Sequence, residues 1–354
     1  MVKVLHNKAI LGVVLLFVLV AAAYVPGLHG PFLLDDRENL MALPAMKMAT
    51  LSHESVRDAF FAWGEWYPHR GIARVSFALN YYFADRSFES FAFKVTNLVF
   101  HLLNGLLIYW LSVLLLRRYA LVARPPSTQA GWSAMQSYLP LLVTALWLLH
   151  PIQLTGVLYV VQRMTSMAAL FVLLGLVLFV LGRTRYESRR PLAMALMFAG
   201  LAGGVVLGFL CKQNAVLLPF FAFLVELFFF SRQALPRPAK RRLYGFYALT
   251  VGLPAVMAVA GLAFAWETIA EGYVHRDFTP WERLLTQSRV LFFYLRLIVF
   301  PHIGAFGLYH DDIVLSTGLL DPWTTLASVL AWLVLVALAL WGVRRRAIWS
   351  FGLL

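Results

Sequence analysis

Residues 95–116 read VTNLVFHLLNGLLIYWLSVLLL, an apolar run whose only titratable side chains are those of His101 and Tyr109. As a helix rising about 1.5 Å per residue, it is long enough to cross a hydrocarbon core of roughly 30 Å. Seven further uncharged or nearly uncharged runs share that property: 9–25, 132–149, 164–182, 192–211, 214–230 (interrupted by Glu226), 243–266 and 322–343. Together they predict an all-α integral membrane protein, a polytopic bundle of about eight transmembrane helices with loops on its outer face.

Composition agrees. Of the 354 residues, 61% are hydrophobic and 13% charged, with a mean hydropathy of +0.75. An ordinary soluble domain carries about 25% charged residues. The net charge of +13 and pI near 10.1 would suit a nucleic-acid partner, but the placement of the charges excludes one. Basic clusters occupy alternate connections: Lys3 and Lys8; Arg117, Arg118 and Arg124; Arg183, Arg185, Arg189 and Arg190; Arg232, Arg237, Lys240, Arg241 and Arg242; Arg344, Arg345 and Arg346. Under the positive-inside rule all five fall on the cytoplasmic side when the N-terminus is cytoplasmic and each run spans once. The acidic residues agree, since all but Glu187 and Glu226 lie in or beside segments placed outside.

The single cysteine, Cys211, forbids an intramolecular disulfide and a cysteine-based zinc site, and reads as a small helix-packing residue. The first apolar run is longer than a typical signal core and is followed by many spans, so it is expected to be retained. Three outer segments can hold chemistry: 26–90, 150–163 and 267–321. Within the last, 289–300 is short and carries Arg289 and Arg296, which predicts an interfacial or re-entrant helix. Residues 120–136, with Pro125-Pro126, read as a cytoplasmic loop. Residues 347–354 begin another apolar segment after the triple arginine and stop, as expected of a truncated chain.

Asp35-Asp36 follows the first span beside Arg37 and Glu38. Adjacent carboxylates raise each other's pKa, which suits one to accept a proton; the alternative is a solvated acidic turn. Arg163 after Gln162, Lys212 at the outer end of a span, and Arg70 and Arg74 in the first loop form a cationic set. Charged groups near a span are costly, and phosphate is their natural client through forked or point-charge contacts. Snorkelling to lipid headgroups is the alternative. Lys94, Asn97, His101 and Asn104 fall within roughly 80° of arc on one helix face. That face looks into the bundle or a wet cavity, as a substrate surface or as hydrogen-bonding glue between helices. His150-Pro151 closes the third span, and His310-Asp311-Asp312 sits in the last outer segment. Asp35, Asp36, Asp311 and Asp312 are the oxygen donors available to a Mg²⁺ or Mn²⁺ ion, and a simple loop turn is the alternative for His310-Asp311-Asp312. No Walker loop, dinucleotide fingerprint or nucleophile elbow is present, so neither an ATP-driven pump nor a soluble-type hydrolase is supported.

The succession FLLDDREN, NLVFHLLNGLL, WLLHPIQLTGVLYVVQRMTSMAALF and LCKQNAVLLP resembles GT-C-type membrane glycosyltransferases. It is most similar to the bacterial relatives of the TMTC protein O-mannosyltransferases and more distantly to the PMT family, over most of residues 11–325, which implies that residues 1–354 form a single transmembrane domain. The resemblance implies transfer of a sugar from a polyprenyl-phosphate donor to a protein or glycan hydroxyl at the periplasmic face of a bacterial inner membrane. It implies Asp35 as general base beside Asp36, and Arg163, Lys212 and Arg74 on the lipid phosphate. Asn97, His101, Asn104, His150, Gln162, His310, Asp311 and Asp312 would line the cavity. The chain departs from the pattern at Gln213, where the family's Lys-Glu pair has an acid, and at Arg74-Val75, where an Arg-Pro is common; it also lacks the C-terminal tetratricopeptide repeats of many members. A transporter or flippase for a lipid-linked sugar would need the same cations but no general base.

Overall fold

The computed structural model describes residues 2–123, 129–230, 235–307, 309–310, 312–345 and 347–354. Among these residues every regular element is helical. The α-helices are α1 (Val2–Leu28), α2 (His53–Phe60), α3 (Gly71–Phe83), α4 (Ser90–Ala123), α5 (Gln129–Leu148), α6 (Leu154–Leu158), α7 (Arg163–Thr184), α8 (Arg190–Phe209), α9 (Leu218–Val225), α10 (Arg237–Tyr247), α11 (Leu253–Phe264), α12 (Trp266–Glu271), α13 (Pro280–Val299) and α14 (Thr324–Arg345). Seven helical stretches are long and apolar enough to cross a membrane, and a bent pair brings the number to eight. The chain is an integral membrane protein built as a polytopic helical bundle.

The predicted runs coincide with these helices, and the differences have local causes. The third run continues into a bent helix pair, Tyr138–Leu148 followed by Pro151–Leu158 at 53°. Pro151 has no N–H for an intrahelical bond, and His150 Nδ1 accepts the Ile152 N–H at 3.1 Å to start the next turn. Residues 150–163, expected as an outer connection, form a chain of short helical turns with Val157, Val160 and Val161 buried. Residues 289–300, expected as a short interfacial or re-entrant helix, fall in the second half of the longer α13, which ends at Val299. Pro280 stands at its N-terminus, and Thr279 and Glu282 form a capping box, so the helix starts well before the apolar run. Helix also covers much of 120–136; Arg124 and Pro125-Pro126 lie outside the described residues, as do Arg232, Asp311 and Arg346.

Two compact units make up the chain, Met1–Ala222 and Phe223–Leu354, the boundary falling within α9. In the first, α4 packs on α1, α5 and α7, and α7 packs along α8. Glycine permits the closest approach there. A Cβ on Gly175 would lie 2.7 Å from the Gly200 carbonyl oxygen, and one on Gly200 would lie 2.8 Å from that of Gly175. Backbones this near gain dispersion contacts that lipid cannot match. In the second unit, α13 packs on α14 through a polar seam. Ser288 and Ser328 share a hydroxyl hydrogen bond at 2.6 Å, and the Trp332 indole donates to the Ser288 carbonyl at 2.9 Å. Large apolar side chains such as Val18, Val259 and Leu333 face outward, as lipid requires.

Candidate functional site

The polar stripe of α4 is fully internal: Lys94, Asn97, His101 and Asn104 are all buried. Lys94, Asn97 and His101 meet carbonyls at a helix end or break, and Asn104 meets one in the first turn of α7. The Lys94 ammonium donates to the carbonyls of Gly27, Gly30 and Pro31 where α1 ends, at 3.3, 2.7 and 3.2 Å. Asn97 Nδ2 donates to the Val157 and Val160 carbonyls at 3.1 and 3.2 Å. His101 Nε2 lies 3.0 Å from the Leu148 carbonyl at the bend, its ring stacked on Trp147. Asn104 Nδ2 donates to the Ser166 carbonyl at 2.9 Å, while its Oδ1 has no partner. Away from water an unpaired carbonyl costs several kcal/mol, so the stripe helps to satisfy the backbone at the helix break. Three of the four residues are thereby committed to bonds within the protein, and Asn104 keeps one free acceptor.

Arg163 is the first residue of α7, and its guanidinium is fully buried. Nε donates to Asn97 Oδ1 at 2.7 Å and Nη1 to the Ser76 carbonyl at 3.1 Å. Nη2 donates to Asn80 Oδ1 at 2.7 Å and to the Phe93 carbonyl at 2.8 Å. The rings of Phe77 and Phe93 flank it. Arg163 therefore ties α3, α4 and α7 together, with most of its donors spent inside the protein.

Asp35 and Asp36, neighbours in sequence, have opposite environments. Asp36 is completely buried, its Oδ1 accepting the Val161 N–H at 2.7 Å and its Oδ2 the Leu33 N–H at 2.9 Å. Burial pushes its carboxyl above the ordinary value, against the opposing pull of the Leu33, Val161 and Val160 amides and the Lys94 charge. Its geometric role is to pin the loop to the turn before α7. Asp35 is exposed; its backbone N–H donates to the Tyr159 hydroxyl at 3.1 Å, and its carbonyl accepts from Asn39. Asp36 thus anchors Asp35, which faces solvent.

The remaining cations gather where the start of α3 meets the end of α8, a junction fixed by the Ile72 N–H donating to the Leu210 carbonyl at 3.0 Å. Arg74 is buried; Nη2 donates to the Tyr67 and His69 carbonyls at 2.9 and 2.6 Å, while Nε and Nη1 have no partner. Arg70, held at φ 68°, leaves its Nε unpartnered as well. Both guanidiniums lie against Trp63, at 5.2 and 5.1 Å from the ring centroid. Lys212 donates to Thr165 Oγ1 at 2.7 Å, and that hydroxyl donates to Gln162 Oε1 at 2.8 Å. Burial, with the Arg70 charge adding to it, pushes Arg74 down to about 10 and lowers Lys212. The His69 imidazole is lowered by burial and by both arginines. Among the described residues no carboxylate lies within ion-pair distance of Arg70, Arg74 or Lys212. One buried and two partly buried cations with unused donors offer a place that an anion can fill.

Arg74, Lys212 and Gln162 thus come together, and the acidic pair joins the same region through Tyr159 and Val161. Both groups border one buried cluster that includes Ala73, Phe77, Tyr159, Val160, Val161 and Cys211. His150 closes the helix bend. His310 and Asp312 belong to the second unit; His310 packs edge-on to Phe293, and Asp312 is exposed. Asp311 lies outside the described residues, and among those described no cluster of three metal-ligating side chains occurs. Sequence reasoning missed Trp63, Asn80, Tyr159 and Thr165 as parts of the site. Only Thr165 carried a signal, one helical turn beyond Gln162. No family model, curated protein or solved structure matches this chain.

Proposed function

We propose that this protein is a GT-C-type glycosyltransferase that moves a sugar from a polyprenyl-phosphate donor to a protein or glycan hydroxyl. On this proposal it lies in a bacterial inner membrane with a cytoplasmic N-terminus and acts at the periplasmic face. The observation that carries the proposal is the cation cluster of Arg70, Arg74 and Lys212, which has unpartnered N–H donors and, among the described residues, no carboxylate within ion-pair distance. It borders the same buried cluster as the segment that anchors the exposed Asp35. Asp35 takes the proton of the acceptor hydroxyl as its oxygen attacks the anomeric carbon, and the bond to the lipid phosphate breaks with inversion. The departing phosphate is a weak base, so charge stabilisation matters more than protonation, and Arg70, Arg74 and Lys212 supply it. Arg163 and Asp36 are positioning residues.

The test compares intact masses of envelope proteins and glycans from cells carrying wild type, Asp35→Asn or neither. A hexose- or pentose-sized increment seen only with wild type supports the proposal. An increment that survives Asp35→Asn removes Asp35 from the chemistry. No increment, with lipid-linked sugar redistributed between the membrane faces, replaces the transferase with a flippase.

A further inference from the structure

Between Glu226 and Glu267 the chain holds no acidic residue, yet it holds Arg237, Lys240, Arg241 and Arg242 within two turns of helix. In α10, Ala239, Leu243, Phe246 and Tyr247 are buried, while all four basic residues are exposed. Arg237 and Arg241, one turn apart, line an open cavity of about 600 Å³ together with Pro238 and Arg242. Lys240 lies over the Tyr244 ring, at 5.5 Å from its centroid. Among the described residues no carboxylate pairs with the three arginines.

The position of the cavity along the chain identifies its ligand. From Arg237 to Phe264 the helix continues as one candidate membrane span, so the arginines sit where that span leaves the hydrocarbon, at headgroup depth. Three exposed guanidiniums around one open cavity make a locally positive surface that an anion can bridge. A phosphodiester offers the acceptor geometry that forked donors match. Basic residues that only orient a span need no cavity, and Arg344 and Arg345 at the end of α14 serve as the comparison. We propose that this cavity binds the phosphate headgroup of an anionic phospholipid. The proposal is independent of the transferase assignment.

The test titrates the detergent-solubilised full chain with dioleoyl phosphatidylglycerol, dioleoyl phosphatidylcholine or inorganic phosphate, reading bound ligand by native mass spectrometry. Phosphatidylglycerol should bind at least about tenfold more tightly than phosphatidylcholine. Arg241→Gln should weaken it about fivefold, and the triple change Arg237→Gln, Arg241→Gln, Arg242→Gln about 100-fold. The double change Arg344→Gln, Arg345→Gln should leave it within about twofold. An equal loss in that double variant would reduce the effect to diffuse surface charge and overturn the proposal. Inorganic phosphate binding as tightly as phosphatidylglycerol would make this a soluble-anion site instead. If the triple variant does not fold, Arg241→Gln alone decides, and unchanged affinity refutes the site.

Discussion

Replacing Arg163 with methionine separates a structural clamp from a phosphate ligand. The side chain keeps its apolar stem, but Asn97 Oδ1, Asn80 Oδ1 and the Ser76 and Phe93 carbonyls lose their shared donor. Hydrogen bonds from a charged donor contribute about 1.5–3 kcal/mol each, so four come to roughly 6–12 kcal/mol. Removing the buried charge returns several kcal/mol of desolvation penalty. The balance is a net loss of about 4 kcal/mol, in the range found when a buried charged network is broken. For a unit the size of Met1–Ala222, with about 2–4 °C of melting temperature per kcal/mol, the midpoint falls by roughly 8–16 °C. Arg163→Lys retains the charge but not the fork and should recover about half of that loss. The 11 tryptophans of the chain supply the intrinsic-fluorescence signal for thermal melts in detergent. Arg74→Met is the counterpart: two carbonyl contacts are lost, but two unpartnered donors and the repulsion from Arg70 are removed, so its net effect lies near zero. The reasoning fails if Arg163→Met melts within about 2 °C of wild type while phosphate-lipid binding falls as far as in Arg74→Met.

Asp35→Asn should abolish sugar transfer, by at least about 100-fold, while shifting the melting temperature by less than about 2 °C, because the residue is exposed. Asp36→Asn should destabilise in a pH-dependent way. The Asp36 carboxyl has a raised folded-state pKa, so its titration favours the folded state most below its ordinary value of 3.8. That contribution fades as pH rises through the folded pKa. The melting-temperature gap between wild type and Asp36→Asn is therefore widest in acid, and a gap that widens towards neutral pH contradicts the assignment. Gly200→Ala should destabilise by about 1–3 kcal/mol, since the new methyl would meet the Gly175 carbonyl 2.8 Å away. Gly203→Ala, with no neighbour within 4 Å, should be neutral or gain about 0.5 kcal/mol from helix propensity, as paired melts would show.

The sequence by itself determined the class of the molecule and the approximate ends of its candidate spans. Apolar length against hydrocarbon thickness is a one-dimensional property, and residues 95–116 already satisfy it. The α4 stripe was also visible, because Lys94, Asn97, His101 and Asn104 recur at helical spacing. Its destination was not. Asn97 and His101 answer carbonyls released by a helix break 47–63 positions away in the chain, and only the packed structure brings the two together. The cations divide for the same reason. Arg163 and Arg74 are equally plausible phosphate ligands as letters, yet Arg163 meets four protein acceptors while Arg74 is left with two unused nitrogens. Asp35 and Asp36 are adjacent residues, and a single turn of backbone gives one a buried seat on Val161 and leaves the other in water. Tertiary structure decided which charges are spent and which remain available, because a buried donor's partners are set by whichever orphaned backbone groups folding brings to it.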